Sequence, residues 1–353
     1  MSIVFAIILF SLLIFVHELG HFVAAKLSGV QVNEFALFMG PAIFKKTIGE
    51  TTYSLRCIPI GGYCAMEGED EDTENPRAFR SAAWWKRLII LLAGAAMNFV
   101  VGFLLLLAVA IPAERISQPV IDFAQEGCTI VCEDGLHVGD RILKVDGENV
   151  YLASDFSMIL SLNPGQVHDL EVLRGGERIV LDDYVMQKHM LPDENGQLRE
   201  LYGIRFGSVE GNFLNTLEYT WNNALGMVRS VRLSLQMLFT GKAGLQDMTG
   251  PVGIVQIMSD TAAASPTAMD AFLNMLNIGG FIAINLAVMN LLPIPALDGG
   301  RAVGLLLTTA IEKITRKKLN AKYEAYIHGA GMILLLALMA IILFKDVFTI
   351  FKG

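Results

Sequence analysis

The sequence predicts an α-helical polytopic membrane protein of about four transmembrane helices, with an inserted α+β domain and a membrane-dipping β-hairpin. Three observations point there. Four stretches, residues 3–25, 88–111, 272–292 and 330–344, are apolar over lengths approaching a bilayer's hydrocarbon core. Mean hydropathy is positive, and only 18% of the 353 residues are charged. Between the second and third stretches, from residue 112 to about 206, the composition turns soluble. The expected organisation is 1–112, two spans and a β-loop; 113–206, the soluble domain; 207–271, an amphipathic membrane-associated region; and 272–353, two more spans.

The first span is apolar from Ile3 to Ala25 apart from Ser11 and three ionisable side chains, in the order His17-Glu18-Leu19-Gly20-His21. Residues four apart share a helix face, so His17 and His21 can hold one metal ion. Neutral imidazole suits zinc, and Glu18 beside it can take a proton from a metal-activated water. The pattern is short and recurs by chance, but burying three such groups in an apolar span without a partner costs several kcal/mol. At 1.5 Å per residue, His17 lies roughly 21 Å from Ile3, inside the membrane and nearer the face where Lys26 emerges. No basic region precedes the apolar run and no small-residue cleavage site precedes the motif, so the stretch reads as a retained span.

Residues 32–38 and 51–60 have strand-like composition and are separated by Gly40-Pro41 and Lys45-Lys46. With the glycine-rich Ile58-Pro59-Ile60-Gly61-Gly62-Tyr63-Cys64 they form either a plain hairpin or an extended edge dipping toward the metal, able to pair with an unwound peptide. The acidic run 67–74, with six carboxylates, reads as a solvated loop. Trp84-Trp85-Lys86-Arg87 is an interfacial anchor opening the second span. There Ala93, Gly94, Ala95 and Ala96 allow close helix packing, and Asn98 reads as an interhelical hydrogen-bonding group.

In the soluble segment, Gly135-Leu136-His137-Val138-Gly139-Asp140-Arg141-Ile142-Leu143 carries a PDZ-like signature. A helix is expected from Ser154 to Leu162 with Ser154 as N-cap, and a hairpin turning at Gly175-Gly176. Such a domain either captures peptide ends by strand addition or serves as a spacer that limits access. His137, His168 and His189 lack metal-ligand spacing and are read as surface residues. The four cysteines do not make a disulfide framework; Cys128 and Cys132 either pair in an oxidising compartment or stay free thiols. From Asn212 to Phe239, Phe213, Leu217, Trp221, Ala224, Val228, Val231, Leu235 and Leu238 recur on one helix face. That helix lies on the membrane surface or in a core.

The third span runs into Asn290-Leu291-Leu292-Pro293-Ile294-Pro295-Ala296-Leu297-Asp298-Gly299-Gly300-Arg301. Two prolines break the helix, and broken backbone at membrane depth must line protein or a cavity. Asp298 alone would be a helix N-cap; joined to His17 and His21 it becomes a third ligand, leaving a fourth position for water. His328 borders the last span as an interfacial residue. Basic residues, eight in 26–87 and six in 301–322, put both segments on the cytoplasmic side, with the soluble domain and both termini outside. A net charge of -8 gives no reason to expect nucleic acid.

The paired motifs, His17-Glu18-Leu19-Gly20-His21 and Asn290-x-x-Pro293-x-Pro295-x-x-Asp298-Gly299, resemble the site-2 protease family of intramembrane zinc metalloproteases. With the PDZ-like segment and Gly250-Pro251-Val252-Gly253-Ile254, nearly the whole chain is similar to the bacterial branch containing the regulator of sigma-E protease. The resemblance implies Zn2+ on His17, His21 and Asp298 with Glu18 as base. It implies Gly61-Gly62 in a re-entrant strand near substrate, and Asn290 helping to hold it. It also implies single-span membrane protein substrates, such as anti-sigma factors or signal-peptide remnants, trimmed first by a site-1-type protease and screened by the PDZ-like domain. The expected location is the bacterial cytoplasmic (inner) membrane, the PDZ-like domain extracytoplasmic. Two departures stand out: one PDZ-like segment where some relatives carry two, and Ala95 where relatives often have proline. Two other classes remain open: a membrane-anchored zinc protease cutting soluble segments at the cytoplasmic face, and a PDZ-bearing adaptor with a vestigial site.

Overall fold

A computed structural model describes residues 2–352 except 70–72, 127, 163–164, 193–196, 242–243, 245–248 and 317–320. The middle of the acidic run and Lys317-Lys318 of the basic loop therefore lie outside the described residues, as do the side chains of Lys322 and His328. The chain divides into two compact units, 1–106 with 227–353, and 107–226.

The first unit holds four helices long and apolar enough to cross a membrane, Val4–Ser28, Trp84–Ala110, Ala268–Leu291 and Gly329–Asp346. They belong to α1 (Ser2–Ser28), α2 (Trp84–Ala110), α6 (Ala268–Leu291) and α8 (Ala321–Lys352). Small residues set the crossings. A Cβ on Gly20 of α1 would strike the Ala93 carbonyl of α2, and one on Gly102 of α2 would lie 3.0 Å from the Gly280 carbonyl of α6. Helices meeting this closely gain dispersion contact that bulky side chains would prevent. Lys86 Nζ donates to the Ser28 carbonyl (3.1 Å), answering an open acceptor at the end of α1.

Between α1 and α2 run β1 (Val32–Ile48) and β2 (Thr51–Met66), antiparallel and irregular in register. β1 continues through Gly40-Pro41, although the composition of that pair predicts a separator. The chain bends there instead, with positive φ at Phe38 (72°) and Gly40 (83°). Glu34 to Leu37 each have two partners, one from 52–55 and one from 62–65, so this limb lies between the other two. Lys26 and Arg77 converge on Glu50 at the β1–β2 turn. Hydrogen bonds from Arg77 and then Lys26 hold the Glu50 carboxyl down at about 2.

Within the expected amphipathic region 207–271, a separate helix, α5 (Pro251–Ala264), starts with proline at its first turn and packs on α1, α6 and α8. Asp346 of α8, buried, accepts from the Gly253 N–H at 3.0 Å. α7 (Asp298–Thr315) follows the broken segment after α6.

In the second unit, β3 (Arg115–Ala124), β4 (Arg141–Val145), β5 (Glu148–Asn149), β6 (Val167–Arg174), β7 (Glu177–Val185) and β10 (Ile204–Glu210) form one sheet. The order is β10-β3-β4-β6-β7 with β5 beside β4; β8 (His189–Pro192) and β9 (Leu198–Leu201) pair separately. α3 (Ala153–Leu162) packs Phe156, Ile159 and Leu160 into the core. Gly175 and Gly176 both have positive φ (56° and 93°), as the β6–β7 turn requires.

Two expectations are corrected here, and the covered face of a third element is now defined. Ser154 is not the N-cap: α3 begins at Ala153, and Asp155 accepts from the Tyr151 and Leu152 N–H groups, both at 2.9 Å. His168 is buried, because Asp146 (2.8 Å) and the Gly165 carbonyl (3.0 Å) satisfy both its ring nitrogens. Along α4 (Phe213–Phe239), Thr216, Thr220, Ala224 and Val231 are buried while Phe213 and Trp221 are exposed, so the covered stripe is rotated from the apolar one. Cys128 and Cys132 are free thiols; Cys128 donates to the Tyr202 carbonyl (3.1 Å).

Candidate active site

α1 carries His17 and His21 one turn apart, and α7 carries Asp298 as its first residue. The His17 Nε2–His21 Nε2, His17 Nε2–Asp298 Oδ2 and His21 Nε2–Asp298 Oδ2 separations are all 3.2 Å. Three donors on a tetrahedral zinc with bonds near 2.05 Å would stand roughly 3.3 Å apart. Asp298 Oδ2 is buried and accepts no hydrogen bond although two ring nitrogens face it. An orphaned carboxylate oxygen facing two imidazoles across a near-equilateral triangle fits a shared cation. Among the described residues no other group of three such side chains meets in this way.

The surroundings fix each donor. The His21 Nδ1–H donates to the Ile90 carbonyl of α2 (2.8 Å), leaving Nε2 with its lone pair outward. Gly94, one turn on, gives the rings room: a Cβ there would fall on His21 Nε2 and lie 2.8 Å from His17 Cε1. Asn98, a further turn along the same face and 1% exposed, brings its amide nitrogen to 3.5 Å from His17 Nδ1. Asn290 approaches the same nitrogen at 3.4 Å.

Asp298 reaches the histidines because α6 stops at Leu291 and the chain folds back through 292–297. Ala296 takes the left-handed conformation (φ 80°). Gly299 and Gly300 lie directly against the carbonyls of Leu291 and Ile294, where a Cβ would collide. The Asp-Gly-Gly sequence thus reads as a carboxylate followed by two positions where backbone must pass backbone.

Glu18 lines the same chamber, of about 730 Å³, with His17, His21, Asn290 and Asp298. One wall is the limb Gly62–Met66 of β2. Gly62 lies against Glu18, a Cβ there falling 3.1 Å from Glu18 Cγ. The expected glycine pair is therefore split. Gly61 does not line the chamber; it turns the chain at φ 71° beside Met39. The chamber is also lined by Glu69 and Arg301, which form an ion pair, together with Arg80 and Arg87.

The sequence marks Gly94 only as a small residue for helix packing and gives no sign of Ile90 or of the Glu69–Arg301 pair at the site. Ile90, Gly94 and Asn98 do stand four apart, but a helix-face pattern made of one carbonyl, one missing side chain and one amide carries no residue-type signature.

Residues 5–338 match the model of Peptidase family M50. The chain belongs to that family, the site-2 protease family. A Clostridium perfringens protein named as a candidate zinc metalloprotease is 34% identical over 349 residues, spanning 98% of each chain. One from Fusobacterium nucleatum is 32% identical over 356 residues and 100% of each. The Bacillus subtilis regulator of sigma-W protease RasP is 26% identical over 427 aligned positions, 98% of each. This M50 member is a zinc metalloprotease.

Proposed function

We propose that this M50 zinc metalloprotease cuts peptide bonds within or near the transmembrane segment of pre-trimmed single-span proteins, with His17, His21 and Asp298 as ligands and Glu18 as base. The observation that carries the reading is the triangle of 3.2 Å separations with Glu18 in the same chamber. Zinc held there supplies Lewis-acid polarisation of the scissile carbonyl and lowers the pKa of a water. Glu18 takes the proton of the attacking water and delivers it to the leaving amide nitrogen. The Gly62–Met66 limb offers main-chain groups on its chamber side, since its described partners, 34–37 and Val32, lie on the other. A substrate unwound into an extended strand can pair along that edge, which brings successive carbonyls past the donors. Asn290, at the chamber wall, is assigned to holding the substrate, and Gly62 to letting its backbone approach.

The four apolar helices support an integral membrane protein. The basic segments 26–87 and 301–322 support a cytoplasmic location for both and an extracytoplasmic β-rich domain in the bacterial inner membrane. We assign that domain, PDZ-like in its sequence, to screening substrates after an upstream site-1-type protease has shortened them. Deleting 115–205 tests the screen: unchanged cleavage of full-length substrates removes it.

The central test compares wild type with Glu18→Gln on a shortened single-span substrate in detergent. Cleavage by wild type alone, with zinc in both, is the expected result. Equal cleavage by both would sink Glu18 as base. Mapping the cut outside the substrate's span would move the reaction to the cytoplasmic face.

A further inference from the structure

Resting on the zinc reading above, we propose that Asn98 is a positioning residue for the metal site, its side-chain carbonyl accepting the proton on His17 Nδ1. A histidine that offers Nε2 to a metal must carry its proton on Nδ1, and that proton needs an acceptor. For His21 the acceptor is the Ile90 carbonyl. For His17 the two groups within reach are the amides of Asn98 (3.5 Å) and Asn290 (3.4 Å), each presenting nitrogen to nitrogen.

The terminal atoms of an asparagine are assigned from their surroundings, and here the surroundings decide. Asn98 Oδ1 is buried and has no hydrogen-bond partner, in a side chain 1% exposed. Turning the Asn98 amide about its last bond gives that oxygen the proton it lacks and gives Nδ1–H the acceptor it needs. Asn290 lines the chamber and has no such orphaned oxygen, so its amide stays available to substrate. The two asparagines therefore divide their work: Asn98 fixes the tautomer and ring plane of His17, and Asn290 faces the chamber. The arrangement makes α2 the scaffold behind both histidines, through Ile90 for one and Asn98 for the other.

The experiment measures zinc affinity of full-length protein in detergent by competition with a chromophoric chelator, without substrate. Asn98→Leu, apolar and of similar size, should weaken zinc by about 10–100-fold. Asn98→Asp, which keeps an acceptor at Nδ1, should stay within about threefold of wild type or bind more tightly. A residue that only fills space would behave oppositely, because a buried carboxylate is harder to accommodate than leucine. Asp weaker than wild type by tenfold or more would overturn the proposal, and this holds even if the leucine variant does not fold. Unchanged affinity in a folded leucine variant would also overturn it, as would an equal or larger loss in Asn290→Leu. Absence of zinc from wild type would instead sink the metal reading itself.

Discussion

Gly62 and Glu18 touch across the chamber: a Cβ added to the glycine would sit 3.1 Å from Glu18 Cγ and 3.0 Å from the Ala36 carbonyl. The strand that forms the chamber wall and the carboxylate assigned to proton transfer therefore share one packing contact. Gly62→Ala presses on both, and on Ile14 Cγ2 at 3.2 Å. Because Ala36 is held by backbone pairing on both sides, Glu18 is the group that yields. The expected outcome is a fall in kcat of about tenfold or more, with zinc stoichiometry unchanged. Steady-state cleavage and metal analysis of the same preparation check it.

Gly94→Ala acts on the other half of the chemistry. Alanine is the better helix former by about 1 kcal/mol, so α2 alone would welcome it. Its methyl, however, would fall on His21 Nε2. Zinc should bind about 10–100-fold more weakly, and the metal-free protein should show less than the helix-propensity gain, because the same methyl crowds the two rings there as well. Chelator competition and calorimetry together separate those effects.

The β-rich unit has an acid limit set by Asp140. Its side chain is fully buried, receives two bonds from Arg174 (2.8 and 2.7 Å) and one from the His137 N–H (2.8 Å). Burial alone would raise its pKa, but the Arg174 and His137 bonds together outweigh burial and hold it below the usual carboxylate range. A depressed folded value means the unfolded chain binds more protons in acid. The stabilisation is thus complete above the ordinary value near 3.9 and is lost as pH falls through the lower folded value. Asp140→Asn should cost about 2 kcal/mol or more at neutral pH and flatten the acid side of the stability profile. Thermal unfolding of this unit followed from pH 7 to 2 measures both.

Asp346 joins the last span to α5. Its carboxylate accepts from Gly253 at the first turn of that helix, where anionic groups are favoured. Asp346→Leu should remove about 1 kcal/mol of local stability and raise amide exchange in the first turn of α5, with Asp346→Asn in between. Equal exchange in all three proteins would show that the contact contributes nothing.

Much of this architecture was readable because its signals are made of residue type. The four apolar stretches, His17 and His21 at helical spacing, and Asp298 on a proline-broken, glycine-flanked segment each carry their chemistry in their side chains. What stayed hidden depends on backbone or on absence. Ile90 contributes a carbonyl and Gly94 a missing methyl beside the histidines, so composition gives their roles no mark, whereas the Gly61-Gly62 pair was legible as a unit but not as to which glycine faces the chamber. Gly40-Pro41 looked like the end of a strand because both residues disfavour regular pairing; β1 instead bends there and resumes. α4 forms over the expected residues. Its apolar periodicity is real, but the threonines at 216 and 220 are covered along with Ala224 and Val231, and Thr220 satisfies its hydroxyl on the Thr216 carbonyl (2.7 Å) within the helix.

The proposed donors His17 and Asp298 stand near opposite ends of the 353-residue chain. During synthesis the first half of the site enters the membrane long before the second is made. An unfinished chain already displays two histidines and a glutamate but lacks the carboxylate that closes the triangle. With His17, His21 and Asp298 as the proposed ligands, proteolytic competence would arrive late in biogenesis, after the segment folding back through 292–297 has docked, and chains truncated before Asp298 would be inert.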